Sequence, residues 1–250
     1  MSYRVFFDVS GLVQWYAYLQ NASGIQRVME SVLGVTQLAH HPDVEFIARA
    51  LGSEKFYKIN PDIICGLSDP ISRRASIACL RRIFGDSTRL ASPLSLLREM
   101  RSIHVPYVAL GWGRLGAAWE AFNCGCWPTP TRRLQLATAP GRGDVIVSLG
   151  DFWCHGGHVD ALIRLKKRSE ATLIQMIHDL VAIYQPQWTH PHYGRELVLQ
   201  LEKLAPHVDH WLTNSQYVKG QLASFLLERG LPTSAIDVLP MGWPQVPPRL

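Results

Sequence analysis

The apolar and polar positions of the first fifty residues follow a strand, helix, strand order. A continuous apolar run at 3–10, YRVFFDVS, is typical of a strand buried on both faces of a parallel sheet. Apolar residues at three- and four-residue spacings predict a helix over 23–39, SGIQRVMESVLGVTQLA, with Ser23 as its N-cap. The run DVEFIARAL at 43–51 predicts a second strand. These segments form a βαβ unit, whose connection we expect to be right-handed.

The second half of the chain repeats this alternation of apolar runs and helical patterns. The strands are expected at 143–150, 171–177, 208–215 and 235–242, and the helices at 158–169, 194–205 and 215–230. Such an alternation is typical of an α/β fold in which helices cover both faces of the sheet. We therefore predict a Rossmann-like, doubly wound, mostly parallel sheet.

The middle of the chain, about 52–142, does not keep this rhythm and is predicted to be a largely helical insertion. Its segments ISRRASIACLRRIFG and ASPLSLLREMRSI have helical patterns. Residues 69–140 contain ten arginines and no lysine, but only four acidic residues. Because the formal net charge of all 250 residues is +5, the positive balance of the chain lies in this arginine-rich insertion.

Two interpretations of the arginine-rich insertion remain open. In the first, its basic residues contact an anionic membrane surface or a pyrophosphate-linked acceptor. In the second, an amphipathic helix packs Ile77, Leu80 and Phe84 against the domain and turns its basic face to solvent. Nucleic acid is not an expected partner, because basic and aromatic residues do not alternate as they do on a base-stacking surface.

The composition is that of a globular protein, with 47% hydrophobic and 18% charged residues. No run reaches the ~20 apolar residues of a membrane span, and the first residues, MSYRVFFDVSG, lack the features of a signal peptide. We therefore expect a cytoplasmic protein, with peripheral attachment to the inner face of the cytoplasmic membrane as an option. The five cysteines are scattered, which favours free thiols over a zinc site.

Polar residues after the predicted strands are the candidates for chemistry, because open α/β sheets bind ligands beyond the carboxyl ends of their strands. The pair His178 and Asp179 follows the apolar run ATLIQMI. The histidine can exchange a proton or hydrogen-bond a ligand, or it can cap the strand through a backbone hydrogen bond; both interpretations stay open. The G-x-G-x-x-G and P-loop motifs are absent from the sequence, which disfavours a dinucleotide-dependent oxidoreductase and a P-loop NTPase.

Five segments in a fixed order resemble a known family: FFDVSGLVQWYAYLQNASGIQRVMESVL, GDVIVSLGDFW, IHDLVAIYQPQW, DHWLTNSQYVKGQLASFL and VLPMG. The set is similar to the N-terminal domain of bacterial family 4 glycosyltransferases. Those proteins are retaining enzymes of the GT-B fold that build O-antigen, capsule and exopolysaccharide chains. The resemblance covers about 1–51 and 143–242, and it leaves out the arginine-rich insertion.

This resemblance implies where the reacting groups would bind. Ser23 and Gly24 would stand near the diphosphate of a nucleotide-sugar, where the N-terminus of a helix favours an anion. His178 would contact the transferred sugar near its reacting centre. Asp179 would position His178 or bind a hydroxyl of the acceptor.

The resemblance also implies an acceptor wall and a helix beside the cleft. Asp151 and Trp153 would form part of that wall, with the tryptophan stacking on a sugar. Asn214 and Ser215 would start the helix that borders the cleft. A metal ion or other cofactor is not expected, since enzymes of this fold generally offset the diphosphate charge with helix dipoles and basic side chains.

A second domain that binds the donor is part of the same expectation. The chain ends in VLPMGWPQVPPRL, where the link to a C-terminal domain would begin. We therefore interpret 1–242 as the acceptor-side domain and 243–250 as the start of a linker, and we expect little turnover without a separate or downstream C-terminal half. The alternative is a non-catalytic Rossmann-like module that binds sugar or membrane, or that docks a partner.

Overall fold

The computed structural model of the chain describes residues 3–49, 52–88, 134–154 and 156–240. Several predictions lie outside these residues. They concern the second helical segment of the arginine-rich insertion, the end of the last strand at 241–242, and the tail at 243–250.

The described residues form one sheet of seven strands in the order β3-β2-β1-β4-β5-β6-β7. The strands are β1 (Val5–Asp8), β2 (Val44–Arg49), β3 (Phe56–Ile59), β4 (Val145–Ser148), β5 (Thr172–Ile177), β6 (His210–Thr213) and β7 (Ala235–Val238). Neighbouring strands are parallel, except that β3 runs antiparallel to β2. The prediction of a Rossmann-like, doubly wound, mostly parallel sheet is confirmed.

Helices cover both faces of the sheet. They are α1 (Ser10–Tyr18), α2 (Gly24–Leu33), α3 (Thr36–Ala39), α4 (Pro61–Ser68), α5 (Arg73–Thr88), α6 (His158–Ser169), α7 (Val181–Tyr184), α8 (Pro191–Leu204) and α9 (Gln216–Glu228). Short 3₁₀ turns occur at Phe152–Cys154, Pro186–Trp188 and Ala205–His207. Within the described ranges, no helix is long and apolar enough to cross a lipid bilayer.

Each face of the sheet has its own hydrophobic core. Successive residues of a strand point to opposite faces, so Phe6 of β1 joins one core and Phe7 joins the other. Residues of α1, α2, α4 and α5 pack around Phe7, whereas residues of α6, α8 and α9 pack around Phe6. The central strands are therefore covered on both sides, as their continuous apolar runs predict.

Two elements differ from the sequence prediction. A helix, α1 (Ser10–Tyr18), stands between the predicted strand and the predicted helix, where no element was expected, and it buries Leu12, Val13 and Tyr16. The strand β3 lies in the region assigned to the helical insertion, and it is held at the edge of the sheet by antiparallel pairing with β2.

The helix predicted over 23–39 is divided in two at Gly34. Here α2 ends, and a short α3 follows. A Cβ atom at Gly34 would collide with the side chain of Ser68 at the end of α4. The missing side chain therefore allows α4 to approach the end of α2.

The described part of the arginine-rich insertion is β3, α4 and the helix α5. Ile77, Leu80 and Phe84 of α5 are buried, whereas Arg74 and Arg82 are exposed. This arrangement agrees with the interpretation of a packed amphipathic helix that has a solvated basic face.

The centre of the sheet is a topological switch point. The strands β1 and β4 lie side by side, and the chain continues from β1 towards β2 but from β4 towards β5. Sheets of this kind open a crevice at the carboxyl ends of the strands where the direction changes. Because Asp8 pairs in register with Ser148, the residues after both strands meet at this crevice.

Candidate functional site

The floor of the crevice is a buried network of Asp8, Ser10 and His158. Asp8 accepts hydrogen bonds from the hydroxyl of Ser10 at 2.6 Å, from its backbone N–H at 3.1 Å and from Nε2 of His158 at 2.8 Å. Burial acts to raise the pKa of Asp8, but the charge and hydrogen bond of His158, with the hydrogen bonds of Ser10, lower it overall. Asp8 is therefore a buried anion whose oxygens are used within the protein.

Arg49, at the end of β2, joins this floor to the loops around it. Its backbone N–H donates to the hydroxyl of Ser10 over 2.8 Å. Its side chain donates from Nε to the carbonyl oxygen of Ser53 at 2.6 Å and from Nη1 to that of Gly156 at 2.9 Å. This buried arginine has a structural role, because backbone carbonyls occupy its guanidinium.

His178 follows β5 directly, and its side chain is buried with 5% exposure. Nε2 donates a hydrogen bond of 2.6 Å to the carbonyl oxygen of Leu149, just after β4. Burial lowers the pKa of His178 below 6.5, although the bond to Leu149 and the charges of Asp151 and Asp179 act in the opposite direction. The ring is therefore neutral near pH 7, and with Nε2 protonated its Nδ1 is a hydrogen-bond acceptor.

The two carboxylates near His178 have different surroundings. Asp179 is exposed, and its Oδ1 accepts a hydrogen bond of 3.1 Å from the backbone N–H of Val181, which fixes the turn into α7. Asp151 is buried, and burial together with the charge of Asp151 raises the pKa of the Cys154 thiol. The predicted positioning of the His178 ring is thus provided by the Leu149 carbonyl, and Asp179 acts on the ring through its charge.

Trp153 lies in the turn after β4 and is half-buried. Its ring meets the buried ring of Phe152 edge-on, with the centroids 5.3 Å apart, and it packs against the core. Much of the surface predicted to stack on a sugar is therefore used for packing.

Helix α2 packs closely on the loop that follows β4, and its start lies towards the crevice. A Cβ atom at Gly150 would lie 3.2 Å from the sulfur of Met29 in α2. Gly24 begins the helix about 7.5 Å earlier along its axis, and a Cβ atom built there would meet nothing within 4 Å. Ser23 precedes it and donates its hydroxyl to Gln26 instead of accepting from a backbone N–H of the first turn. The first turn of α2 is therefore uncapped by a side chain and open.

A cavity of about 290 Å³ opens beside this helix start. It is lined by Asn21, Ala22, Arg27, Glu30 and Arg73. The two arginines and one glutamate give the lining a formal charge of +1, and Arg27 is exposed. An anionic group entering from the start of α2 would meet Arg27 first.

Two of the residues that line the cavity, Glu30 and Arg73, form a network with Tyr16 that joins α1, α2 and α5. Glu30 accepts hydrogen bonds from the hydroxyl of Tyr16 and from Arg73, the latter at 2.8 and 3.1 Å. Arg73 also donates to the hydroxyl of Tyr16 over 2.7 Å. Burial raises the pKa of Tyr16, and so does the neighbouring Glu30. This network holds the arginine-rich insertion on the sheet, and the sequence gives no spacing signal for it.

Asn214 and Ser215 follow β6, the strand next to β5. Ile177 pairs in register with Thr213, so Asn214 follows β6 at the level where His178 follows β5, about 4.8 Å away in the sheet direction. Ser215 accepts a hydrogen bond of 3.2 Å from the backbone N–H of Val218 and caps α9. Oδ1 of Asn214 is buried and has no hydrogen-bond partner within the described part of the chain. A buried acceptor of this kind destabilises the protein by roughly 1–3 kcal/mol unless a ligand or water donates to it.

The structure brings some of the predicted residues together and gives others a packing role. His178, Asp151 and Asn214 lie at neighbouring strand ends, and Met29 of α2 packs on the loop after β4 at the same edge. Trp153 and Ser215 are used mainly for packing and for capping. In the described ranges, no group of three or more histidine, cysteine, aspartate or glutamate side chains is arranged to hold a metal ion.

Two exposed aromatic residues at this edge were not among the predicted site residues. Trp188 is 73% exposed in the turn after α7, and Tyr193 is 51% exposed in the first turn of α8. The segment QPQWTHPHY carries both of them shortly after His178. Its concentration of aromatic, histidine and amide side chains is the signal that could have identified them.

No protein-family model matches the chain, and a search of curated proteins found no match to it. The fold itself defines the class of the domain: it is a Rossmann-like, doubly wound α/β domain with a crevice at the β1–β4 switch point.

Proposed function

We propose that this chain is the acceptor-side domain of a retaining glycosyltransferase of the GT-B fold. It would act in transfer of a sugar from a nucleotide-sugar to a glycan or lipid-linked glycan, as in the synthesis of O-antigen, capsule or exopolysaccharide. The observation that carries this proposal is the tautomer of His178. Because Leu149 fixes the proton on Nε2, Nδ1 is left as a neutral acceptor, and in this proposal it receives a hydrogen bond from a sugar hydroxyl.

A second observation supports a polar ligand at the same place. The buried Oδ1 of Asn214 lacks a donor within the described residues and lies at the strand end next to His178. A sugar hydroxyl can donate to one of these acceptors and a neighbouring hydroxyl to the other. Such paired contacts give orientation as well as affinity.

The anionic part of a donor would bind at the start of α2. The N–H groups around Gly24 are uncapped by a side chain, and Arg27 lies on the exposed rim of the adjoining cavity. A helix N-terminus with a nearby arginine can hold a diphosphate without a metal ion. We propose that a C-terminal domain, separate or downstream, closes over this surface and supplies the remaining donor contacts.

The same proposal gives a role to Asp179 and to the exposed arginines of α5, and it includes a location in the cell. Asp179, exposed beside His178, would accept a hydroxyl of the acceptor. The protein would work in the cytoplasm on acceptors at the inner face of the cytoplasmic membrane. The exposed Arg74 and Arg82 of α5 would face anionic headgroups there.

The experiment is sugar transfer from radiolabelled nucleotide-sugars to lipid-linked acceptors in membranes of the source bacterium. The chain is assayed with any C-terminal half that its gene or a neighbouring gene encodes. Replacing His178 with alanine should lower the rate at least about tenfold, while His41→Ala, an exposed histidine on the far side of β2, should not. Full transfer by a folded His178→Ala variant would overturn the proposal.

A second candidate function is a non-catalytic module that binds sugar. The observation that favours it is the burial of His178 and the use of its Nε2 by the Leu149 backbone, which a purely structural histidine also shows. This candidate predicts glycan binding without transfer, whichever C-terminal half is supplied. The transfer assay therefore separates the two functions.

A further inference from the structure

A group of rings follows His178 in the chain, and three of its four members, Trp188, His190 and Tyr193, are exposed. We call Trp188, His190, His192 and Tyr193 the aromatic rim. Trp188 and Tyr193 expose 73% and 51% of their surfaces. Exposed rings of this size leave large apolar faces in water, where a ligand can pack on them.

Three of the four rings of the aromatic rim contact one another: His190, His192 and Tyr193. The ring of His190 meets that of Tyr193 nearly edge-on, with centroids 5.9 Å apart, and the ring of His192 lies 6.4 Å from Tyr193 on another side. His190 also caps α8, since its Nδ1 accepts a hydrogen bond of 3.3 Å from the backbone N–H of His192. The Tyr193 end of the aromatic rim is therefore ordered before any ligand binds, which lowers the entropy cost of binding there.

Packing connects the aromatic rim to the residues after His178. A Cβ atom at Gly194 would collide with the carbonyl oxygen of Ala182, so the first turn of α8 lies directly on α7. Helix α8 also contacts the turn Phe152–Cys154 that follows Asp151. Because α8 returns the chain from the end of β5 towards the start of parallel β6, its first turn stands at the carboxyl edge of the sheet, as the crevice does.

The chemistry of the segment favours a carbohydrate over a membrane or an apolar protein surface. Residues 180–194 contain no lysine or arginine, and the exposed Arg195 after them is a single positive charge, so the segment lacks the basic cluster that anionic headgroups attract. Its exposed residues include no leucine, isoleucine, valine or phenylalanine. Amide and imidazole groups stand beside the exposed rings instead, with Gln187 donating to Gln185 over 2.8 Å. A pyranose needs an apolar face for its C–H groups and hydrogen-bonding groups at its edge, and this segment presents both.

We propose that the aromatic rim binds the glycan chain of the acceptor, with Trp188 and Tyr193 stacking on successive sugar rings. The assignment to the acceptor rests on the proposed function, whereas glycan binding itself does not. The bound chain runs across α8 and directs its growing end to His178. The affinity of the aromatic rim for a glycan then depends on the number of sugar rings in the glycan and not on the charge of the glycan.

The test begins with an array of immobilised bacterial polysaccharides and other glycans, probed with the full chain. Binding to at least one class is expected, and the same glycan in solution should change the fluorescence of Trp188. Trp188→Ala and Tyr193→Ala should each weaken binding about fivefold or more, the value of one aromatic contact. The matched control is Tyr3→Ala, which removes a 61% exposed tyrosine before β1, at the opposite edge of the sheet.

Two further variants distinguish aromatic stacking on a sugar ring from a general hydrophobic contact. Trp188→Phe should keep most of the glycan affinity, whereas Trp188→Leu should lose it as alanine does. All these side chains are exposed, so the midpoint of thermal unfolding should stay unchanged and will show whether a variant is folded. Absence of binding on the whole array, or equal binding by Trp188→Ala and Tyr3→Ala, overturns the proposal. If the chain co-sediments with phosphatidylcholine vesicles, and if Trp188→Leu does so equally well, the surface binds a membrane. That result also overturns the proposal.

The result is distinguishable from failure of the proposed function. His178→Ala should lower the transfer rate at least about tenfold and leave glycan binding on the array intact. Trp188→Ala should raise the KM for the acceptor in the transfer assay and leave kcat nearly unchanged. Glycan binding without transfer would keep the inference about the aromatic rim and discard the enzyme.

Discussion

Nε2 of His158, at the start of α6, donates a 2.8 Å hydrogen bond to Asp8, which precedes it by 150 residues. The side chains of both residues are only 2% exposed. Asp8 closes β1 and His158 opens the helix that leads from β4 to β5, so this contact adds a buried side-chain link to the β1–β4 pairing at the switch point. Breaking it should therefore affect the whole fold.

Asp8→Ala should lower the free energy of unfolding by about 3–5 kcal/mol, because it leaves buried polar groups without their charged partner. Urea denaturation followed by circular dichroism measures the change. The matched control is Glu202→Gln, which breaks the exposed pair of Glu202 with Arg229 at 2.6 Å. That substitution should cost less than about 1 kcal/mol. Equal effects of the two substitutions would contradict the structural role of the buried pair.

Stability should fall as the pH is lowered, and His178 should contribute to this fall. Its pKa in the folded protein lies below the ordinary 6.5 because of burial. Between the folded and unfolded pKa values, the unfolded chain binds a proton that the folded chain does not, so acid favours unfolding. The stabilising contribution is complete above pH 6.5 and is lost as the pH falls towards the folded pKa.

His178→Gln removes this titration and keeps an amide donor for the Leu149 carbonyl. We expect the free energy of unfolding of this variant to depend less steeply on pH than that of the parent chain in the acid range below pH 6.5. The measurement is urea denaturation at several pH values. His207 has a pKa lowered by burial as well, so part of the slope should remain. If the free energies of unfolding of the two proteins depended on pH with the same slope, the pKa of His178 would not be lowered by folding.

Gly194→Ala should destabilise the protein by about 1–3 kcal/mol, because the added methyl group collides with the backbone of Ala182. Gly220→Ala is the matched control: this glycine is exposed inside α9, and a Cβ atom there meets nothing within 4 Å. The control should stabilise the protein by up to about 1 kcal/mol, since alanine favours a helix. Thermal unfolding of both variants gives the comparison. A neutral Gly194→Ala would mean that α7 and α8 are not in contact.

Arg73→Met should loosen the arginine-rich insertion from the sheet. The change leaves the Glu30 carboxylate without the arginine that pairs with it at 2.8 Å, which should cost about 2 kcal/mol or more. Hydrogen exchange should then become faster in α5 than in β4 or β5. Arg74→Met, one residue later on the exposed face, should alter neither stability nor exchange. Faster exchange throughout the domain in both variants would argue against a specific anchor.

Much of the fold could be predicted from local pattern, because most strands here are buried on both faces. A run such as ATLIQMI leaves few alternatives to β5. The elements that were missed owe their identity to distant partners. β3 is four residues long and is defined by pairing with β2, and α1 begins directly after β1, where Ser10 and Gly11 resemble a turn.

Which strand ends lie side by side could be predicted from the sequence, but the contacts of their side chains could not. The rule that ligands bind at strand ends identifies His178, Asp151 and Asn214. Whether the imidazole faces a ligand or the backbone depends on the carbonyl of Leu149, 29 residues away in sequence. The exposure of Trp188 likewise follows from the packing of α7 on α8, which no local pattern encodes.

The place of β1 in the sheet has a consequence for how the protein is made. Val5 pairs with Val145 on one side, whereas its other neighbour, Val44, is much nearer in sequence. At about 5–20 residues per second, the ribosome reaches β4 roughly 7–28 s after β1 has been synthesised. During that interval one edge of an apolar strand stays open, and the nascent chain is then most exposed to aggregation and most dependent on chaperones.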